Sequence, residues 1–162
     1  MDLLKKLCEI HAPSGEEVAM KQFLLKHIRK NQANWKVKPI LHFGNEFQDN
    51  IIMVFGKPKT AIFSHIDSIG FTVRYNNEII QIGGPVTKEG IVLVGKDSKG
   101  DIEGKILKKV AEKEKMFIDF NRTIDRGTSL TFKVEFRESN QFIQSCYMDN
   151  RLGVWNALEV AK

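Results

Sequence analysis

Apolar residues along the chain follow a helical period first and a strand period afterwards, with the change near residue 35. The first part predicts helices over about residues 2–11 and 14–30. Pro13 separates them. Ser14 and Glu17 have the spacing of a capping box, in which Ser14 caps the second helix and Glu17 bonds back to it. Two helices ahead of a set of strands indicate a mixed sheet with helices packed against it.

Short apolar segments separated by polar turns follow the helices. The first of them predict strands over residues 35–42, 50–55 and 60–65. The last is an almost continuous apolar run, which is typical of a strand buried on both faces of an α/β sheet. From residue 69 onward short strands recur without helices, which indicates a small barrel or sandwich. These strands span residues 69–75, 78–83, 90–95, 101–108, 116–120, 129–137 and 142–147.

A final apolar stripe at helical spacing begins after Asp149 and Asn150, which are expected to cap the helix. The helical spacing of apolar residues therefore returns after the β-rich segment. We predict the α/β fold class, with a discontinuous sheet-and-helix domain of residues 1–68 and 146–162. An inserted β-barrel or sandwich domain of residues 69–145 interrupts it. The stripe continues to the last residue without a stop signal, so we expect the first domain to be truncated.

The composition is that of an ordinary globular protein and excludes several classes. Of the 162 residues, 42% are apolar and 28% are charged. No apolar run is long enough for a bilayer, and the N-terminus has no secretory pattern, so a cytoplasmic location without membrane partners is expected. Cys8 and Cys146 are too few for a disulfide framework or a thiolate zinc site. Helical spacing assigns Cys8 to the core.

The formal net charge is +5, and much of the excess is concentrated in one lysine-rich stretch. Its members are Lys105, Lys108, Lys109, Lys113 and Lys115. Such a run can contact phosphates. Glutamates interrupt it, however, and no aromatic residues alternate with the lysines to stack on bases. The pattern favours a solvated hairpin, and nucleic acid is not expected as a partner.

Two short motifs carry candidate catalytic chemistry. His65 and Asp67 stand two residues apart at the end of a predicted strand, so their side chains are expected to share a face. A metal-binding imidazole has its other nitrogen held by a carboxylate or carbonyl, so this pair can supply a ligand and its holder. Asp149 offers another carboxylate, and Arg151 is expected to pair with a carboxylate structurally. Taken alone, each motif is more often structural than catalytic.

The remaining histidines are assigned no chemistry. His27 falls in the last turn of the second predicted helix, where the helix dipole favours a positive surface charge. His11 precedes the proline turn, and His42 ends a predicted strand. Both are expected to be structural or exposed.

Four stretches, taken in chain order, resemble a known family. Residues 13–17 are similar to its Ser-Gly-x-Glu turn, and residues 49–52 to its Gly-Asn-Leu-Ile stretch. Residues 65–71 are similar to its His-Met-Asp-Glu-Ile-Gly-Phe, and residues 149–153 to its Asp-Asn-Arg-Leu-Gly. This is the dinuclear-metal aminopeptidase family of the tetrahedral (TET) type, peptidase family M-forty-two. It includes glutamyl aminopeptidases and members labelled endoglucanases. The chain looks like the N-terminal half of a member.

The resemblance implies a hydrolase that removes N-terminal residues from peptides with water activated by two divalent metal ions. These would be zinc first, with cobalt and manganese as alternatives. Carried over by position, His65 would bind one metal, Asp149 would bridge both, and Asp67 would be the catalytic-site carboxylate behind His65. The general base and the remaining ligands, a Glu-Glu pair, an Asp and a His, would follow residue 162. These residues alone are therefore expected to lack turnover.

The resemblance also implies a homo-oligomer assembled through the β-rich insert. The loop of residues 121–125 is shorter than in the family, which favours a dimer over a twelve-subunit shell. Ser68 stands where the family usually has a glutamate. Two other interpretations stay open. One is a related two-metal deacylase or amidohydrolase, which would not cleave aminoacyl anilides. The other is a non-catalytic module that binds peptides or nucleic acid.

Overall fold

The computed structural model describes residues 1–109 and 115–162, so part of the predicted lysine-rich hairpin, including Lys113, lies outside the described residues. The helices are α1 (Asp2–Glu9), α2 (Val18–Asn31) and α3 (Met148–Val160). The strands are β1 (Ile40–Phe43), β2 (Ile51–Val54), β3 (Gly70–Val73), β4 (Glu78–Ile82), β5 (Val92–Asp97), β6 (Gly100–Lys109), β7 (Lys115–Asp119), β8 (Ser129–Phe132), β9 (Arg137–Glu138) and β10 (Ile143–Gln144). Among these described elements, no helix is long and apolar enough to cross a bilayer.

Strands β3 to β8 form a closed antiparallel barrel, which confirms one of the two predicted alternatives, a small barrel or a sandwich. Their order around it is β3-β4-β7-β6-β5-β8. Strand β8 closes the ring by pairing with β3, where Phe71 lies opposite Leu130. Closure leaves these strands without the free edges of an open sheet. The barrel core consists of Phe71, Val73, Ile79, Leu93, Ile102, Ile106, Ile118, Ile124 and Leu130.

Two glycines allow the barrel strands to approach closely. A Cβ built on Gly95 would lie 2.5 Å from the carbonyl oxygen of Ser129. A Cβ built on Gly104 would lie 2.5 Å from the carbonyl oxygen of Asp119. Both contacts involve backbone atoms, which cannot move away as a side chain would, so a residue without a Cβ is required at each position.

A second apolar core joins the helices. Its buried members are Leu7, Ala12, Met20, Leu24, Ile28, Trp35, Val154, Leu158 and Ala161. Cys8 is 1% exposed, which confirms its assignment to the core. The antiparallel pair β1 and β2 packs Leu41, Ile51 and Met53 against this cluster. The helices and the barrel thus have separate cores, while the division into a discontinuous domain and an insert stays a prediction.

The start of α2 differs from the predicted capping box. Ser14 and Gly15 form a turn, and α2 begins only at Val18 with Glu17 at its N-cap. The side chain of Glu17 accepts a hydrogen bond from the backbone nitrogen of Gly15 at 2.7 Å. The Ser14 hydroxyl donates to a carboxylate far along the chain instead of to the helix, so the predicted cap is wrong.

Residues 60–65 form no strand in the described structure, which corrects the prediction of a strand buried on both faces. Ile62 is 63% exposed and Phe63 is 88% exposed. No described strand pairs with this segment, so its apolar side chains have no neighbouring strands to bury them. Strands β1, β8 and β10 are also shorter than predicted.

His27 is half-buried, which corrects its assignment as a surface charge. Its ring stacks on Phe23 with 6.3 Å between centroids. Its Nε2 is buried and finds no hydrogen-bond partner among the described residues. Burial lowers the pKa of His27, because the charged imidazolium is poorly solvated there. His42 is also half-buried and packs against Phe47, which agrees with a structural role.

Candidate metal centre

Residues 12–14 run beside Ser68 and bring Ser14 to the His-x-Asp motif. Pro13 and Ser68 form an isolated parallel bridge. The backbone nitrogen of Ser14 donates to the Ser68 carbonyl at 3.1 Å, and that of Ser68 donates to the Ala12 carbonyl at 2.9 Å. Ser68 is 2% exposed, and its hydroxyl also donates to the Ala12 carbonyl. A serine at this position therefore joins two chain segments.

His65 lies between two carboxylates. Its Nδ1 is 2.9 Å from Asp67 Oδ1, and its Nε2 is 3.0 Å from Asp149 Oδ1. The other oxygen of Asp67 accepts a hydrogen bond from the Ser14 hydroxyl at 2.5 Å. The structure thus places together all the site residues predicted from the sequence, although His65 and Asp149 are 84 positions apart. Ser14, which the sequence assigned to a helix cap, joins them.

The electrostatics of this cluster favour a cation at His65. Burial lowers the pKa of His65, but the hydrogen bonds to Asp149 and Asp67 outweigh it and raise the pKa above its ordinary value. The Ser14 hydroxyl, against some burial and together with His65, lowers the pKa of Asp67. Asp67 is therefore ionised at neutral pH. The imidazole nitrogen beside Asp149 lies where a positive charge, from a proton or a metal ion, is stabilised.

The start of α3 presents Asp149 to His65. Tyr147 occupies the N-cap position at φ 66°, Asp149 and Asn150 have non-helical backbone angles, and no side chain caps the helix. The predicted cap by Asp149 and Asn150 is therefore wrong, because the Asp149 carboxylate faces the imidazole. The peptide bond between them is cis. The Asn150 side chain lies over Gly153, where a Cβ would overlap it.

Arg151 is fully buried just inside α3. Its Nη1 donates to the carbonyl oxygen of Ile66, between His65 and Asp67. Its Nε and Nη2 find no hydrogen-bond partner among the described residues. The predicted pairing of Arg151 with a carboxylate is therefore wrong, and the guanidinium bonds to the backbone of the His-x-Asp motif instead.

The imidazole nitrogen of His65 and the carboxylate oxygen of Asp149 are suitable as two ligands of a divalent metal ion. Zinc binds imidazole nitrogen and carboxylate oxygen at about 2.0–2.2 Å, so two such atoms 3.0 Å apart can share one ion. Asp67 holds the other ring nitrogen, which leaves Nε2 as the ligand atom. Catalytic zinc sites use three protein ligands. The described residues contain no cluster of three or more His, Cys, Asp or Glu side chains that could hold an ion.

A second polar cluster joins the helical part to the barrel. His11 Nε2 lies 2.8 Å from Ser129 Oγ, and His11 Nδ1 lies 3.1 Å from Thr131 Oγ1. Ser129 donates its only hydroxyl hydrogen to Glu16 at 2.6 Å. Ser129 must therefore accept from Nε2–H, which leaves Nδ1 to accept from Thr131. The neutral Nε2–H tautomer of His11 therefore satisfies every hydrogen bond in this cluster, which agrees with its predicted structural role.

This cluster predicts a pH dependence of stability. Burial, opposed by Glu16, lowers the pKa of His11 below its ordinary value of 6.5. Below pH 6.5 the unfolded state therefore binds more protons than the folded state, so the free energy of unfolding falls as the pH falls towards the folded-state pKa. In urea unfolding from pH 8 to pH 5, the stability difference between wild type and His11→Gln should shrink. A difference that stays constant or grows would contradict this, since the other histidines are common to both proteins.

The fold is similar to that of solved TET-type peptidases. A TET aminopeptidase from a marine-sediment Thaumarchaeota archaeon aligns with 99% of this chain and 52% of its own, at 19% identity and a TM-score of 0.74. The Pyrococcus horikoshii TET1 peptidase aligns with 98% of this chain and 54% of its own, at 19% identity and a TM-score of 0.71. An endoglucanase from Thermotoga maritima aligns with 98% and 54%, at 20% identity and a TM-score of 0.73.

The likeness to these proteins is one of fold. The chain spans about half the length of the solved structures that it matches. No protein-family model matches the sequence. The architecture thus supports the resemblance of the motifs at the level of the fold.

Proposed function

We propose that these residues form the first half of a two-metal aminopeptidase site that hydrolyses the N-terminal bonds of peptides. The observation that carries the proposal is the position of His65, between Asp67 and Asp149, in a fold shared with TET peptidases. Two bound divalent ions, zinc or else cobalt or manganese, would lower the pKa of a water molecule and polarise the peptide carbonyl.

Each residue of the cluster has a separate part in this site. His65 would bind an ion through Nε2, and Asp149 would supply carboxylate oxygens to the two ions. Asp67 accepts from Nδ1 of the ring, which fixes the tautomer and the orientation of the ligand. Ser14 holds the far oxygen of Asp67 at 2.5 Å, so the carboxylate cannot rotate away from the ring. The site is thus oriented by residues from three distant parts of the sequence.

The rest of the site belongs, in this proposal, to polypeptide that the described residues do not include. A catalytic ion needs a third protein ligand, and a peptidase needs a general base. The exposed apolar side chains of Ile62 and Phe63, directly before His65, mark a surface that further polypeptide can cover. We therefore expect the 162 residues alone to bind metal weakly and to show no turnover of aminoacyl anilides.

The proposal includes assembly into a homo-oligomer. The Pyrococcus horikoshii TET1 peptidase can assemble into a tetrahedron or a large octahedral shell. The barrel is the part of this chain that we assign to contacts between copies. Its loop of residues 121–125 is short, so we propose a dimer as the basic unit.

Paramagnetic broadening in NMR tests the location of the metal. Mn²⁺ added to the isotopically labelled chain should broaden the ring resonances of His65 well before those of His11, His27 and His42. His65 combines a half-exposed side chain with a carboxylate on its Nε2. Zinc is the diamagnetic control and should shift the His65 resonances without broadening them. Equal broadening of all four histidines, or none at His65, would contradict the proposed site.

A further inference from the structure

We propose that Arg151 is a positioning residue that fixes the distance between the two metal-binding side chains, His65 and Asp149. The inference rests on the proposed function. Arg151 stands two residues after Asp149, and its Nη1 donates to the carbonyl oxygen of Ile66, the residue after His65. One side chain thus connects the start of α3, which carries one ligand, to the segment that carries the other.

The burial of Arg151 is difficult to explain by packing alone. The side chain has no exposed surface, and its Nε and Nη2 have no hydrogen-bond partner among the described residues. A buried charge with unmet hydrogen-bonding capacity is strongly unfavourable compared with an apolar side chain of similar volume. Val154 and Leu158 already anchor the same helix in the apolar core. An arginine is therefore needed for its bond to Ile66 rather than for filling space.

The segment before His65 makes the bond from Arg151 more important. Residues 60–65 pair with no described strand, so no ladder of backbone hydrogen bonds sets where His65 lies. On the other side of the motif, Ser68 is fixed to the turn that precedes α2. That contact does not involve α3. Among the described hydrogen bonds of the backbone at residues 65–67, the bond from Arg151 is the one that connects this backbone to α3, the helix that carries Asp149.

Matched variants separate positioning from stability. Cobalt affinity by calorimetry and thermal midpoints are measured for wild type, Arg151→Met, Arg151→Lys and Leu158→Ala. Arg151→Met should lose about tenfold or more in cobalt affinity, the range found when residues that support a ligand are removed. Leu158→Ala removes a buried side chain of the same helix, so it should lower the midpoint and keep the affinity. Arg151→Lys retains a cationic donor and should recover part of the loss.

Two results would overturn the inference. One is wild-type cobalt affinity in Arg151→Met, and the other is an equal loss of affinity in Leu158→Ala. If Arg151→Met does not fold, NMR of the wild type decides. The guanidinium hydrogens of Arg151 should then exchange slowly with water and show nuclear Overhauser contacts to residues 65–67. Fast exchange without such contacts would overturn the proposal.

Failure of the proposed function gives a different result. If wild type binds no cobalt, or if His65→Ala leaves its binding unchanged, the metal site is wrong. The nuclear Overhauser contacts between the His65 ring and residue 149, compared in wild type and Arg151→Lys, still report whether Arg151 sets their distance. Unchanged contacts in Arg151→Lys, together with fast exchange of the wild-type guanidinium, would reject the positioning role by itself.

Discussion

Replacing His65 by alanine is expected to lower the affinity of the chain for Co²⁺ by more than about 100-fold. Loss of a residue that only supports a metal ligand costs about 10–100-fold, and this change removes the proposed ligand atom itself. What remains is the Asp149 carboxylate, whose side chain is 94% exposed. A single solvated carboxylate competes poorly with water for a divalent ion. Isothermal titration calorimetry on the purified wild type and variant measures the difference.

Two further variants make this result specific. Asp67→Asn keeps the shape of the side chain that holds Nδ1 but removes its charge, so it should cost about 10–100-fold. His42→Ala removes a histidine that packs against Phe47 and should leave the affinity unchanged. From the highest to the lowest affinity for Co²⁺, the variants are therefore expected in the order His42→Ala, Asp67→Asn, His65→Ala. A loss in His42→Ala as large as that in His65→Ala would show that binding is unspecific.

Placing valine at Gly95 is expected to cost more than about 3 kcal/mol of folding free energy, or to prevent folding. Overpacking alone costs about 1–3 kcal/mol. Here the added Cβ meets the backbone oxygen of Ser129 at 2.5 Å, which no rotamer change can relieve. Strand β5 would have to separate from β8, and its hydrogen bonds to β8 would be lost as well. Urea unfolding followed by circular dichroism measures the change.

Gly84→Val is the matched control for the barrel. A Cβ on Gly84 has no heavy atom within 4 Å, and this residue is exposed and lies outside the strands. The same substitution there should change the free energy of unfolding by no more than about 0.5 kcal/mol. Equal stability of Gly95→Val and Gly84→Val would mean that β5 and β8 do not approach as closely as described.

The series of short strands, expected to form a barrel or a sandwich, could be predicted from the sequence because its signals are local. Each strand is short and bounded by residues that tolerate turns. Asn76 and Asn77 both have positive φ, and they lie in the gap between the predicted strands of residues 69–75 and 78–83. A turn depends on the backbone preferences of its own residues, so neighbouring sequence is sufficient to find it. Closure of the ring is the further step that only the pairing of β3 with β8 shows.

Contacts between distant segments could not be predicted in the same way. The apolar run of residues 60–65 has the composition of a buried strand, but burial depends on neighbours that the run itself does not specify. Ser14 has the right spacing to Glu17 for a cap. Only the bridge of Pro13 brings it to Asp67, which is 53 positions away. Local spacing contains no information about such a contact.

In the candidate site, too, the contact between near neighbours could be predicted from the sequence, and the contacts between distant residues could not. The shared face of His65 and Asp67 follows from their spacing, and the structure joins them at 2.9 Å. The meeting with Asp149 was implied by the resemblance and not by any local pattern. The burial of Arg151 had no sequence signal, because an arginine early in a helix is normally solvated.

The exposed run before His65 also bears on how the chain behaves in concentrated solution. An exposed apolar segment that pairs with no described strand is a template for strands of other copies, and pairing of that kind leads to aggregation. Lys57, Pro58 and Lys59 precede the run and are exposed. Charge and proline at the flank of an apolar segment oppose such pairing, the first by repulsion and the second by the missing N–H. An aggregation-prone stretch and the residues that restrain it therefore lie directly beside His65, the proposed metal ligand.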